Sequence, residues 1–211
     1  MPDSAPDAFL LIAPGCPHCA TVLAGLEPLI KEGAVGRLEV VNVAVHPEKA
    51  AEVGVRSAPW LRLGPFELDG SRTEEELRQW AERAGSGEGM DAYFRGLLGS
   101  GQASRVRDMV KESPGYLPDL IGMLADLEEE THIRLGVGAV LEDLRGTDLA
   151  AAAVEPLAGL TRSEHPRVRA DGCYFLGVVG AAEARPHLEA RRGDSDPEVR
   201  EAAEEALEAI P

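Results

Sequence analysis

Phe9-Leu10-Leu11-Ile12-Ala13-Pro14-Gly15-Cys16-Pro17-His18-Cys19-Ala20 is the stretch on which the fold of the first half of the chain turns. The apolar run Phe9 to Ile12 suits a buried parallel strand, and Pro14-Gly15 breaks it. Beyond the break, Val22, Leu23, Leu26 and Ile30 recur at helical spacing between Pro17 and Lys31. The C-x-x-C pair therefore falls where a strand becomes a helix. Cys16 takes the N-cap or first turn, where unpaired backbone N–H groups and the helix dipole favour an anion. Pro17 suits the first helical position, because its missing N–H would have no partner there. Cys19, one turn later, lies on the inner side of the helix and is the less exposed thiol. His18 can add positive charge or a hydrogen bond to a thiolate. Together these features are expected to hold the Cys16 thiol below its free value of about 8.5.

Outward from this stretch the chain alternates strands and helices. Leu38 to Val45 reads as a valine-rich strand, and Pro47 to Val53 as a short helix closed by Gly54. Trp60 to Leu63 and Phe66 to Leu68 flank Gly64-Pro65 and read as a hairpin. A last helix opens near Ser71 or Thr73, where Thr73 and Glu76 stand at capping-box spacing, and repeats Leu77, Trp80, Ala81 and Ala84. The order is β-α-β-α-β-β-α, with a parallel first pair joined by a right-handed crossover and an antiparallel hairpin. The expected division is an α/β domain over 1–85, a linker over 86–89 within Gly85-Ser86-Gly87-Glu88-Gly89, and a helical domain over 90–211.

The last 80 residues carry no strand pattern and repeat instead. With Ile133-Arg134, Val168-Arg169 and Val199-Arg200 aligned, Val137, Gly172 and Ala203 fall four residues on. Leu141, Leu176 and Leu207 fall eight on, and Leu144, Val179 and Ile210 eleven on. Those offsets share one helical face. Leu157, Leu160 and Leu188 mark intervening second helices, so each unit of 35 or 31 residues is a helix pair, the signature of a solenoid. Gln102 to Ser113 and Leu117 to Leu127 read as a degenerate first repeat. The arginine after each start position is read as a structural ladder pairing with neighbouring acids.

Of the 211 residues 44% are hydrophobic and 27% charged, and the formal net charge of −16 is spread over both halves. No basic patch invites nucleic acid or an anionic membrane surface. No stretch approaches the ~18 apolar residues of a membrane helix, and the first residues carry Asp3 and Asp7 rather than a basic flank. A cytoplasmic location is expected. Two of the three cysteines form the C-x-x-C; in a reducing compartment such a pair is catalytic or metal-binding more often than structural. Cys173, inside Cys173-Tyr174-Phe175-Leu176, reads as a buried free thiol.

The CPHC motif at this junction resembles the thioredoxin superfamily, and its central dipeptide matches the bacterial DsbA-type oxidants within it. The resemblance implies a cis-proline loop facing the cysteines, and Ser57-Ala58-Pro59 stands where that loop should be. It makes Pro59 cis and gives the Ala58 backbone a bound client peptide to pair with. Gly15 replaces the tryptophan that often precedes the first cysteine, and Phe9 to Ile12 lacks the family's buried acid. The domain is as short as a glutaredoxin, but Leu68-Asp69-Gly70-Ser71 lacks the basic residue and glycine pair that hold glutathione. "SDPEVREAAEEALEAI" and "EHPRVRADGCYFLGVV" resemble HEAT-type repeats, the short kind of phycobilin-lyase-like proteins.

The expected function is thiol–disulfide exchange at Cys16 and Cys19, tuned by Pro17 and His18. Ala58 and Pro59 would bind the client, and the solenoid would dock it. No metal and no cofactor beyond the Cys16–Cys19 disulfide are expected; the partners would be a disulfide-bearing protein and a recycling reductase. Two alternatives stand beside this: a non-enzymatic redox-sensing scaffold, and a dimer sharing a metal or iron–sulfur cluster through Cys16 and Cys19.

Overall fold

The computed structural model describes residues 5–210, and the chain divides into two compact units, Met1–Gly89 and Met90–Pro211. In the first, β1 (Asp7–Ile12), α1 (Pro17–Glu32), β2 (Arg37–Asn42), α2 (Pro47–Glu52), β3 (Trp60–Leu63), β4 (Phe66–Asp69) and α3 (Glu74–Ser86) follow the expected order. The sheet runs β2-β1-β3-β4, with β1 parallel to β2 and antiparallel to β3, and β3 antiparallel to β4. Leu10 pairs with Val40 on one side and Leu61 on the other, and Leu61 pairs in turn with Leu68. Alternation along each strand puts Ala8, Leu10, Leu61, Leu63, Phe66 and Leu68 on one buried face. Leu26 and Leu29 of α1 and Leu77 of α3 are fully buried, and Phe66 meets Trp80 of α3 at 4.8 Å between ring centroids. Thr73 closes the capping box with Glu76 as its spacing suggests.

Two boundaries differ from the sequence reading. β2 stops at Asn42 rather than Val45, because the Asn42 side-chain oxygen accepts the Ala44 N–H at 2.9 Å and its carbonyl accepts those of Val45 and His46. An asparagine that bonds its own backbone two residues on competes with the ladder, and Val45 is left 67% exposed despite its strand propensity. At the other end, Gly85 and Ser86 belong to α3, which ends at Gly87 in the left-handed region.

The second unit is all helical: α4 (Met90–Gly99), α5 (Ala103–Glu112), α6 (Leu117–Gly122), α7 (Thr131–Glu142), α8 (Leu149–Leu160), α9 (Pro166–Val179), α10 (Arg185–Glu189) and α11 (Pro197–Ala209), with 3-10 turns around α6 and before α10. The sequence reading did not single out α4, which buries Met90, Tyr93, Phe94, Leu97 and Leu98 at helical spacing. The aligned starts lie on α7, α9 and α11, and Ile133, Val168 and Val199 are all buried. An additional offset, seven residues on, is buried as well: Val140, Phe175 and Ala206. Leu207, placed on the inner face by alignment, is only half-buried; Ala206 takes that role in α11. Among the described residues no helix is long and apolar enough to cross a membrane.

The three arginines form a ladder. Each reaches back to carbonyls just before its own helix: Arg134 to Leu124 and Asp126, Arg169 to Ser163 and Glu164, Arg200 to Asp194 and Ser195. Two also reach an acid further along the chain, Arg134 pairing with Asp171 and Arg169 holding Asp194 at 2.8 and 3.0 Å. The Asp194 side chain is 5% exposed, and its hydrogen bond to Arg169 holds the carboxyl down at about 2. Because that value lies below the ~3.9 of an unfolded aspartate, the associated stability is present above pH ~4 and is lost as the pH falls toward 2. Asp194→Asn should therefore flatten the dependence of unfolding free energy on pH in that window, with the near-neutral stability reduced. An unaltered acid limb in denaturant titrations would contradict the ladder.

Helices α9 and α11 approach closely at Gly177. A Cβ on Gly177 would meet Ala206 Cα and Cβ at 2.9 Å, whereas one on Gly159 in α8 meets nothing within 4 Å. Helix propensity alone favours Ala over Gly by about 1 kcal/mol. Gly159→Ala should follow propensity, while Gly177→Ala should lose about 1–3 kcal/mol to overpacking, both read by chemical unfolding. Equal effects at the two sites would refute that close approach.

Candidate active site at the first turn of α1

Gly15, at φ +71°, turns the chain between β1 and α1, and the Cys16 N–H donates to the Ala13 carbonyl at 3.4 Å. Cys16 is the N-cap of α1, with Pro17 next, and its Sγ accepts the Cys19 N–H at 3.2 Å. That bond occupies one of the helix's unpaired donors with sulfur, the geometry that favours a thiolate over a thiol. Cys16 and Cys19 are joined as a disulfide with Cα atoms 5.4 Å apart. Cys16 is half-buried and Cys19 only 5% exposed, so the two sulfurs differ in access. Pro17 and His18 are exposed on the outer side of the turn.

Sheet topology brings a second segment to this point. β1 and β3 run antiparallel, so the carboxyl end of β1 and the loop before β3 share one end of the sheet. There the Ala58–Pro59 bond is cis, and the Ala58 carbonyl oxygen lies 3.5 Å from Cys16 Sγ. The Pro59 carbonyl accepts the Gly70 N–H at 3.0 Å, tying the loop to the end of β4. Ala58 is half-exposed and Pro59 buried. Cys16, Cys19, Ala58 and Pro59 are thus assembled from positions 42 residues apart.

The surroundings carry few charges. Residues 13–20 contain no acid or base except His18. His46, exposed at the N-terminus of α2, faces Glu48 at 3.1 Å. Among the described residues no group of three or more His, Cys, Asp or Glu side chains is placed to hold a metal ion. The first unit has eight basic side chains. Lys31, Arg37, Lys49 and Arg78 bond carboxylates; Arg62 and Arg83 lie over the rings of Phe9 and Trp80. Arg72 donates to the Ser71 carbonyl. Arg56 remains, exposed and two residues before Ala58. It escaped the sequence reading, although it is the only charged residue between Gly54 and Pro59.

Cys173 is fully buried on α9, and burial pushes its thiol up to about 11. It is a packing residue, as its apolar neighbours suggest.

A four-stranded sheet with a C-x-x-C at the first turn of α1, facing a cis-proline loop, defines a thioredoxin-like redox domain. Over 71 residues this chain is 35% identical to the thioredoxin of Methanocaldococcus jannaschii, an alignment covering 32% of this chain and 82% of that protein. Residues 117–208 match the family of HEAT repeats. The chain belongs to the thioredoxin family through its first unit, and that unit is fused to HEAT-type helical repeats.

The placement of the three sulfurs predicts distinct reactivities in the reduced protein. Cys16 should alkylate with a midpoint below about 7.5, Cys19 only at higher pH, and Cys173 not at all until the chain unfolds. Iodoacetamide rates against pH on single-cysteine variants measure this. A Cys16 midpoint at or above about 8.5 would show that the helix terminus does not stabilise the thiolate.

Proposed function

We propose that the protein is a thiol–disulfide oxidoreductase whose helical repeats dock the protein client. The observation that carries this is the Cys16 sulfur, N-capping α1, paired with the buried Cys19 and set against the Ala58 carbonyl. In the reducing direction the Cys16 thiolate attacks one sulfur of a client disulfide; that S–S bond breaks, a mixed disulfide forms, and one client sulfur leaves as thiolate. Cys19 then loses its proton to water or another base and attacks Cys16 Sγ, releasing the second client thiolate and closing Cys16–Cys19. Two electrons pass from the dithiol to the client, and a recycling reductase returns them. The Ala58 N–H has no protein partner among the described residues and is open to the backbone of an extended client peptide beside Pro59. His18 and Pro17 flank the attacking sulfur on the solvent side, where His18 can favour the thiolate.

Docking rests on the second unit's surface. Leu135 on α7 is 69% exposed and Tyr174 on α9 is 57% exposed. Both border a groove of about 350 Å³ that also takes in Gly138, Phe175 and Arg145. Apolar side chains so exposed at the edge of a groove fit a protein partner better than water.

Reduction of a small peptide disulfide, with dithiothreitol as the recycling dithiol, tests the chemistry. The wild type should turn over, Cys16→Ser should lose essentially all activity, and Cys19→Ser should accumulate the mixed disulfide. Turnover that survives Cys16→Ser would reject the proposal; absence of turnover together with iron-type absorption would favour the dimeric cluster. Docking is tested in the full chain by adding Leu135→Asp and Tyr174→Asp to Cys19→Ser. The yield of trapped client should fall relative to turnover on the small disulfide, and an unchanged ratio would remove the groove from client selection.

A further inference from the structure

We infer that Arg56 is a specificity-determining residue of the exchange site, selecting disulfides flanked by acidic residues in the client. The inference rests on the oxidoreductase reading above and names its substrate class. Seven of the first unit's eight basic side chains are engaged by a carboxylate, an aromatic ring or a carbonyl, and Arg56 alone has no partner among the described residues. It is exposed, and it stands two residues before Ala58, whose carbonyl oxygen is 3.5 Å from Cys16 Sγ. Two residues of extended chain span at most about 7 Å. A client strand laid along Ala58 with its disulfide at Cys16 therefore brings its flanking side chains within reach of this guanidinium.

The local balance of charge decides the sign. The whole chain carries −16, which taken alone would favour a basic client. At physiological ionic strength, however, charges separated by more than about 8 Å are largely screened, so groups at the sheet's active end dominate at contact. The acids there are already occupied: Glu48 faces His46 at 3.1 Å, and Asp69 is engaged within the fold. Arg72 is tied back to the Ser71 carbonyl. Arg56 is the permanent charge left to meet a ligand beside the ionisable His18, and a guanidinium pairs with a carboxylate in a fork geometry that a point charge lacks.

Three synthetic disulfide peptides, identical except for Glu, Gln or Lys beside the cysteine, test this with the full chain and dithiothreitol. The wild type should prefer the Glu peptide over the Gln peptide by about fivefold in kcat/KM, the upper range of an exposed ion pair. The difference should lie in KM and shrink at high ionic strength. Arg56→Gln should bring the Glu/Gln ratio to about one, Arg56→Lys should retain part of it, and Arg56→Glu should reverse the order toward the Lys peptide. A preference that persists in Arg56→Gln overturns the inference. So does a parallel loss on all three peptides with an alkaline shift in Cys16 reactivity, which would assign Arg56 to thiolate stabilisation. If the wild type reduces none of the three, the oxidoreductase reading itself fails, and the inference with it.

Discussion

Pairing of β1 on both of its edges is the constraint from which the redox site follows. Its bonds to β2 put the strand in the middle of the sheet, and its bonds to β3 run antiparallel. Antiparallel pairing makes the exit of β1 and the entrance of β3 neighbours, which is why Cys16 and Ala58 meet across 42 residues of sequence. Were β3 parallel to β1, its Pro59 entrance would lie at the opposite end of the sheet. Leu10 and Leu61, both buried to 2% or less, anchor this register. A slip of one residue would turn both faces inside out.

The disulfide site then needs little more from the protein than a helix end. Cys16 replaces the usual hydroxyl or carboxylate N-cap with sulfur, and Cys19, a single turn on, supplies both the N–H that bonds that sulfur and the second thiol. Burial separates the two in access, the asymmetry on which the proposed exchange rests. No neighbouring acid is required by this arrangement, and residues 13–20 supply none.

The helical unit is held by a different principle. Its inner faces are stacked apolar stripes, as expected where each repeat buries surface only against its neighbours. Helix ends are secured by arginines that satisfy the carbonyls preceding their own helices, two of them also reaching an acid further along the chain. Such cross-links span repeats and give the stack a register that apolar contacts alone would leave loose. Leu135 and Tyr174 stand outside this scheme, since neither contributes to the buried stripe.

The residues alone determined a good deal. The strand–break–CPHC–helix order, the capping box at Thr73, the 35- and 31-residue repeat and the buried Cys173 are all local or periodic signals, set by backbone donors, caps and helical spacing. Each is expressed within a few turns of chain and therefore survives in one dimension. Other features were decided only in three dimensions. β2 ends at Asn42 because one side-chain oxygen outcompetes a ladder bond, a contest that valine content obscures. Ala206 rather than Leu207 faces inward in α11, because Gly177 brings α9 so close that only a small side chain fits between them. The isolation of Arg56 was likewise invisible, since a basic residue is free or paired according to what the fold sets around it. Local chemistry is written in spacing, whereas closeness of approach and competition for partners exist only once the chain has closed on itself.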